Sequence, residues 1–435
     1  MAQTTAFNNP TPSTLSAGPQ LGRVRWTVCA MLFAATSINY MDRQVIAILK
    51  PTLEHSIGMT EVGYGYIVDA FQIAYAIGLL AAGRLVDKLG TRIGYMLVMA
   101  IWSLSAMGHA LANTVLEFGF ARFFLGLGES GNFPAAIKTV AEWFPQSERS
   151  LATGIFNSGA NVGAILAPAI VPWVTVRYGW HAAFLTTGVF SMLWIVWWFR
   201  YYRVPAEHPT LTAGERLHIS EDASVDLGTA MAWRRLLSCR QTWAFSASKF
   251  LTDPIWWFYL FWLPSYFSSK FNLNLSHLGP PLIVVYNISV LGSVGGGWLP
   301  VPFRRLGLSP NYARLAAMLV CASLVVPILT ATTVKSLWTA IALIGVAAGA
   351  HQGWSANLFT TTSDMFPRKD VGTVVGIGGM AGSMGSALFA FFAGHILQLT
   401  HSYEILFQIA SCAYLLALIA LCILAPGLKK VEFAS

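Results

Sequence analysis

Gly83-Arg84-Leu85-Val86-Asp87-Lys88-Leu89-Gly90-Thr91-Arg92 is a short charged, glycine-bounded stretch set between two long apolar runs. The glycines permit a tight turn and close helix approach, and Asp87 can hold a basic residue or a helix end. On either side, residues 62–83 and 93–112 read as helices long enough to cross a bilayer, which takes about 20 apolar residues. Further outward, runs at 24–49, 117–141, 150–172 and 181–199 lie before a polar stretch; runs at 243–267, 280–302, 313–333, 337–362, 371–397 and 403–426 follow it. Of 435 residues, 55% are hydrophobic and 11% charged, with mean hydropathy +0.58. This composition excludes an ordinary soluble domain, a disordered chain and a secreted disulfide scaffold. A single-span anchor is excluded too, because apolar runs continue to the end of the chain. The expected class is an all-α polytopic membrane protein with twelve transmembrane helices in two six-helix halves.

The charges that remain outside the runs set orientation. With the amino terminus inside, nineteen Lys and Arg fall on that side and only Lys50, Arg177, Lys270 and Lys335 on the other. Such a positive-inside bias predicts that both termini are cytoplasmic and explains most of the net charge of +8. No folded basic domain is present to bind nucleic acid. Residues 1–23 lack the basic and apolar regions of a signal peptide and read as a disordered cytoplasmic tail. Four of the five cysteines, Cys29, Cys321, Cys412 and Cys422, lie in apolar runs, and Cys239 lies in a polar stretch, so no disulfide framework or metal cluster is expected.

The polar stretch at 200–242 divides the chain into an N-terminal half, 24–199, and a C-terminal half, 243–426, leaving a short tail at 427–435. It reads as a cytoplasmic linker with a short amphipathic helix. The halves echo each other. Phe144-Pro145 precedes Gly154-Ile155 by the spacing at which Phe366-Pro367 precedes Gly376-Ile377, and the same offset of 222 residues pairs Gly131 with Gly353 and Gly163 with Gly385. Parallel repeats of six spans place a substrate site at the midplane between halves, exposed alternately by rocking. With this organisation, the 83–92 stretch resembles the G-x-x-x-D-[RK]-x-G-x-[RK] loop of the major facilitator superfamily. The resemblance implies the major facilitator fold and a gating role for Gly83, Asp87, Lys88, Gly90 and Arg92. The counterpart in the second half, Gly297 to Arg314, keeps basic residues but lacks the acidic one.

A charge inside a span costs about 2.5–3.5 kcal/mol on insertion scales, so each needs a reason. Asp42-Arg43 lies in the first span, and Arg122 and Glu129, seven residues apart on one helix face, lie in the fourth. They could simply neutralise one another as buried pairs, although omitting all four would usually be as stable. A charged cavity is the alternative: an arginine that holds an anion bidentately and carboxylates that carry protons. Asn39-Tyr40-Met41-Asp42-Arg43, the run Arg122 to Pro134 (RFFLGLGESGNFP) and Gly179-Trp180-His181-Ala182-Ala183-Phe184 resemble the anion:cation symporter branch of the superfamily. That resemblance implies that Arg43 binds a substrate carboxylate, that Asp42 and Glu129 are proton-coupling acids, that Arg122 partners Glu129, and that Tyr75 contacts substrate.

In the seventh span, Lys249 and Asp253 stand at i,i+4 and can pair within the helix or face the cavity and bind sugar hydroxyls. Pro254 and Pro264 would bend or locally unwind this helix. Its aromatic residues, Tyr259 among them, suit a sugar ring. The segment resembles that of bacterial hexuronate transporters, carriers of glucuronate and galacturonate. In the tenth span, His351 corresponds to Glu129 across the repeat, with Trp354, Asn357 and Thr361 nearby. Asn157 and Asn161 of the fifth span could line the cavity or bridge helices. Asp69 has no role beyond the rim.

The sequence therefore predicts a monomeric inner-membrane symporter importing a hexuronate anion with protons, and no cofactor. Sodium coupling stays open, as do aldonate (galactonate) or sialate substrates. A non-transporting sugar-acid sensor would need a signalling domain, and the linker is too short for one. An enzyme would need a nucleophile motif, metal cluster or nucleotide loop, and none occurs. Gly126 and Gly128 lie in an apolar helix, where they allow close packing.

Overall fold

The computed structural model describes residues 22–220 and 233–431; most of the N-terminal tail and the middle of the linker lie outside them. The helices are α1 (Val24–Ile57), α2 (Glu61–Gly108), α3 (Val115–Glu129), α4 (Asn132–Trp143), α5 (Gln146–Tyr178) and α6 (Trp180–Tyr201). In the linker lie α7 (Ala213–Ser220) and α8 (Trp233–Leu237). The second set is α9 (Arg240–Phe271), α10 (Gly279–Trp298), α11 (Pro300–Arg305), α12 (Pro310–Val325), α13 (Leu337–Met365), α14 (Arg368–Thr400) and α15 (Glu404–Leu424). Eight segments among the described residues are long and apolar enough to cross a membrane on those criteria alone. The remaining four spans are α1, the broken rod α3–α4, α9 and α13. These hold Asp42 and Arg43, Arg122 and Glu129, Lys249 and Asp253, and His351, whose polarity lowers their hydropathy.

Three helix details differ from the expected spans. α2 holds both the second and third spans, because the backbone stays helical through the 83–92 stretch and breaks only at Gly90, where φ is 75° and ψ is 158°. A side chain there would be strained, so the single glycine makes the turn. The fourth span is split just after Glu129. Pro134 lacks the N–H that would bond the Ser130 carbonyl, and α4 starts afresh at Asn132. α9, in contrast, runs unbroken from Arg240 to Phe271 despite Pro254 and Pro264, so the expected local unwinding does not occur. The Phe250 carbonyl that Pro254 cannot bond faces Gly385 of α14, where a Cβ would collide with it.

The repeat is visible in that contact. Gly163 of α5 packs against the Ser37 carbonyl of α1, just as Gly385 of α14 packs against α9. These helices hold equivalent places, fifth on first and eleventh on seventh. Small residues let the backbones approach, which is how membrane helices gain packing energy without a hydrophobic driving force. Gly292 and Gly296 of α10 likewise meet Gly349 and Gly353 of α13.

The two halves meet along α2–α14, α5–α10 and α1–α9. The contacts concentrate away from the face that holds the described chain ends. Tyr64 Oη donates to the Phe261 carbonyl at 2.7 Å, and Gln44 Nε2 donates to Tyr286 Oη at 2.8 Å. On the same distal side Gly65 lies beside Gly394, and Gly279 beside the Pro168 carbonyl. The distal seam is closed.

Candidate substrate and proton site

Arg43 projects from the middle of α1 and is 1% exposed. Its Nε donates to Glu129 Oε2 at 2.5 Å, and Glu129 sits on the last residue of α3, fully buried. Four rings surround the guanidinium: Tyr40 at 4.7 Å, Tyr75 at 4.8 Å, Trp257 at 5.0 Å and Phe71 at 5.5 Å. Cation–π attraction strengthens in such desolvated surroundings. Tyr75 stacks on Phe71 and meets Trp257 edge-on, so α1, α2 and α9 together form one aromatic box. Trp257 comes from the opposite half. Arg43 Nη2 and Glu129 Oε1 have no protein hydrogen-bond partner, leaving one donor edge and one acceptor available.

The acid expected to pair with Arg122 is thus taken by Arg43. Arg122 is buried against Phe71 at 5.8 Å, and none of its three nitrogens has a hydrogen-bond partner. Seven residues of helix put it about 10 Å along α3 from Glu129, too far for direct pairing in this arrangement. It still acts electrostatically on Asp42 and Glu129. Asp42, one residue from Arg43, faces the other way. The hydroxyls of Thr187 and Ser191 of α6 lie beside it but donate to the Phe184 and Thr187 carbonyls, and neither Asp42 oxygen has a partner.

In the second half, Lys249 Nζ bonds Asp253 Oδ2 at 2.7 Å within α9, and the ammonium lies over Phe359 at 4.5 Å. His351 is stacked on Trp256 at 5.1 Å, and its Nδ1 shares a 2.6 Å hydrogen bond with Tyr414 Oη. Trp354 packs edge-on against Tyr414, and its indole nitrogen has no partner. Tyr259 is fully buried beside Phe258, and its hydroxyl is also unpartnered. These residues lie on α9, α13 and α15 of the second half, with Asp253 one turn from Trp257 of the Arg43 box. Asn357 is occupied structurally: its Nδ2 donates to the Gly296 and Gly353 carbonyls at 2.7 and 2.9 Å, tying α13 to α10. Asn157 is exposed and Asn161 half-buried on α5, and neither bonds a neighbouring helix.

In the 83–92 stretch, Arg92 Nη2 donates to the Phe199 carbonyl at 2.8 Å and lies over the Phe199 ring, so it caps the end of α6. Lys88 is exposed. Gly90 makes the turn; the packing of Gly83 and the side chain of Asp87 lie outside what is described. Glu142, which no motif marked, accepts from both Thr91 Oγ1 and Tyr202 Oη at 2.6 Å and ties this stretch to α4 and the end of α6. The aromatic box was also missed, although Phe71–Tyr75 and Trp257–Phe261 at i,i+4 are the spacing that aligns rings on one helix face.

A second unmarked cluster lies on the face of the chain ends. Arg25 donates from its backbone N and from Nη1 to Glu215 of α7, both at 3.1 Å, and from Nε to Glu148 of α5 at 2.9 Å. His218 of α7 meets Glu148 at 3.1 Å. Burial pushes Glu148 up, but hydrogen bonds and charge from Arg25 and His218 outweigh it and hold the carboxyl below the usual glutamate range.

The buried, incompletely satisfied Arg43–Glu129 pair of the first half, with Trp257 of the second against it, lies where two helical bundles meet. The chain belongs to the Major Facilitator Superfamily, whose family model matches residues 32–363. It is a multi-pass transporter, not an enzyme. It is 30% identical over 416 residues to the hexuronate transporter of Escherichia coli (strain K12), an alignment covering 94% of this chain and 96% of that protein. It is 33% identical over 287 residues to the galacturonate transporter of Dickeya chrysanthemi, covering 65% and 83%. A probable galactarate/D-glucarate transporter of Escherichia coli (strain K12) is 28% identical, covering 94% and 96%. Among solved structures, a D-xylose–proton symporter superposes with TM-score 0.75 at 14% identity, covering 93% of this chain and 99% of that one, which establishes the shared fold.

Proposed function

We propose that the protein imports hexuronates, such as D-glucuronate and D-galacturonate, together with protons by alternating access. It would act as a monomer in the inner membrane with both termini in the cytoplasm. The moving units are residues 24–199 and 243–426, joined by 200–242. One observation carries the reading: an arginine caged by rings from both halves spends one donor on Glu129 and keeps another free. A proton on Glu129 removes the negative charge that competes for Arg43. The guanidinium then takes the substrate carboxylate through a planar two-donor edge, the strongest common mode for this anion. One anion and one proton thereby replace one internal ion pair, and the box returns to its starting charge when both leave.

Asp42 is the second coupling acid in this scheme, with Arg122 biasing both carboxylates. Tyr75 and Trp257 supply the apolar surface for a sugar ring, and Asn157, Asn161, Lys249 and Asp253 the polar groups along the approach. His351, Trp354 and Tyr259 act from the core behind it. With the termini in the cytoplasm, the closed distal seam is the external one. The hexuronate assignment is supported by the two relatives whose names specify hexuronate and galacturonate.

Counterflow of labelled glucuronate in proteoliposomes, challenged with galacturonate, galactonate and sialate, tests the substrate. Competition by galacturonate well above the other two is expected. Equal failure of both hexuronates overturns the assignment while leaving the fold intact.

A further inference from the structure

We infer that the Lys249–Asp253 pair is a charge filter at the far end of the substrate site. In this role Asp253 restricts the carrier to sugar acids with one carboxylate and excludes aldarates, which have one at each end. The inference rests on the hexuronate reading and specifies what the site rejects.

The geometry is set by α9, which brings Trp257 against Arg43 at 5.0 Å. Asp253 and Lys249 follow one and two turns further along the same helix, about 6 and 12 Å from the Trp257 level. Tyr40, which faces Arg43 in the box, lies within electrostatic reach of both Glu129 and Asp253. A six-carbon acid in extended form spans roughly 6 Å, from five C–C bonds of about 1.5 Å. With one end on Arg43, the other end reaches the level of Asp253.

The pair presents its negative member. The Asp253 side chain is 18% exposed, the Lys249 side chain 9%, and the ammonium is turned onto the Phe359 ring. Asp253 cannot withdraw towards α14, because Gly382 lies so close that even a Cβ there would strike the carboxylate. The hydroxyl end of a hexuronate can donate to Asp253. A second carboxylate at that place meets a like charge, with the one nearby cation already committed. The contrast with the other pair is structural. Arg43 and Glu129 come from different helices and can part, whereas Lys249 and Asp253 share one helix at i,i+4 and remain joined as the halves rock.

The test compares galacturonate with galactarate, which share stereochemistry and differ in the second carboxylate, as competitors in counterflow. In the wild-type carrier galactarate should compete at least tenfold more weakly, about 1.4 kcal/mol. Asp253→Asn removes the repelling charge and frees Lys249, so galactarate should gain at least tenfold relative to galacturonate. Adding Lys249→Met should cancel that gain. Equal competition in the wild type overturns the filter alone, and so does a folded D253N carrier that binds galacturonate without any gain for galactarate. If D253N does not fold, the wild-type comparison decides by itself. A wild type that binds neither sugar acid overturns the hexuronate reading as well.

Discussion

Arg43 was legible because a guanidinium in a span is costly, and the same reasoning found Asp42, Arg122, Glu129, Lys249 and Asp253. Which acid holds which base was not legible. Arg122 and Glu129 share a helix face in sequence, yet Glu129 lies at the end of α3 where the chain turns towards α1, and Arg43 reaches it first. The rings around Arg43 come from three helices in two halves, so no local pattern could assemble them. Lysine at position 43 would keep the charge but lose the planar donor edge and much of the stacking. Arg43→Lys should therefore weaken hexuronate affinity by about 10- to 100-fold, the scale of a lost charge-assisted bond, as measured by counterflow competition. Undiminished affinity would count against its role. The Asn357 amide nitrogen bridges α13 and α10, a contact between distant parts of the chain that no local pattern marks. Asn357→Ala strands the buried Gly296 carbonyl and should cost about 1–3 kcal/mol of stability, read from melting in detergent.

At the scale of elements, hydropathy located the spans but not their breaks. The 83–92 stretch read as a loop because it is charged; in the fold it is helix, interrupted only at Gly90. An alanine there must hold a conformation that only glycine adopts easily. Gly90→Ala should destabilise the carrier by about 1–3 kcal/mol, seen as a lower melting temperature, whereas Gly154→Ala, where a Cβ meets open space, should not. A short amphipathic helix was expected in the linker, but neither its place at α7 nor its docking onto Arg25 and Glu148, since the partners lie far apart in the chain. Glu148 is held below its usual range by these contacts. A carboxyl depressed in the folded state stabilises docking above the ordinary glutamate range and loses that contribution as pH falls through the depressed value. Amide protection factors across 213–220, corrected for the intrinsic pH dependence of exchange, should therefore fall on acidification below about pH 4. Protection unaffected by both pH and Glu148→Gln would show that Glu148 does not hold α7.

For the whole molecule, the repeat, the six-plus-six division and the positive-inside count were all readable before any coordinates, because a bilayer constrains length and charge so strongly. The direction in which the halves are tilted was not, since both states satisfy the same sequence pattern. The closed distal seam rests partly on the Tyr64 hydroxyl and the Phe261 carbonyl. Tyr64→Phe removes that bond and should raise labelling by an impermeant external reagent of a cysteine placed at Ser265, a small buried residue one turn from Phe261. Unchanged labelling would assign the seal to packing alone. The central claim is that Glu129 exchanges Arg43 for a proton when the substrate arrives. Its most direct test is labelled glucuronate in proteoliposomes of wild-type and Glu129→Gln carriers, measuring accumulation driven by a pH gradient and counterflow without one. E129Q should lose gradient-driven accumulation but retain counterflow. Accumulation at the wild-type level in E129Q would contradict it.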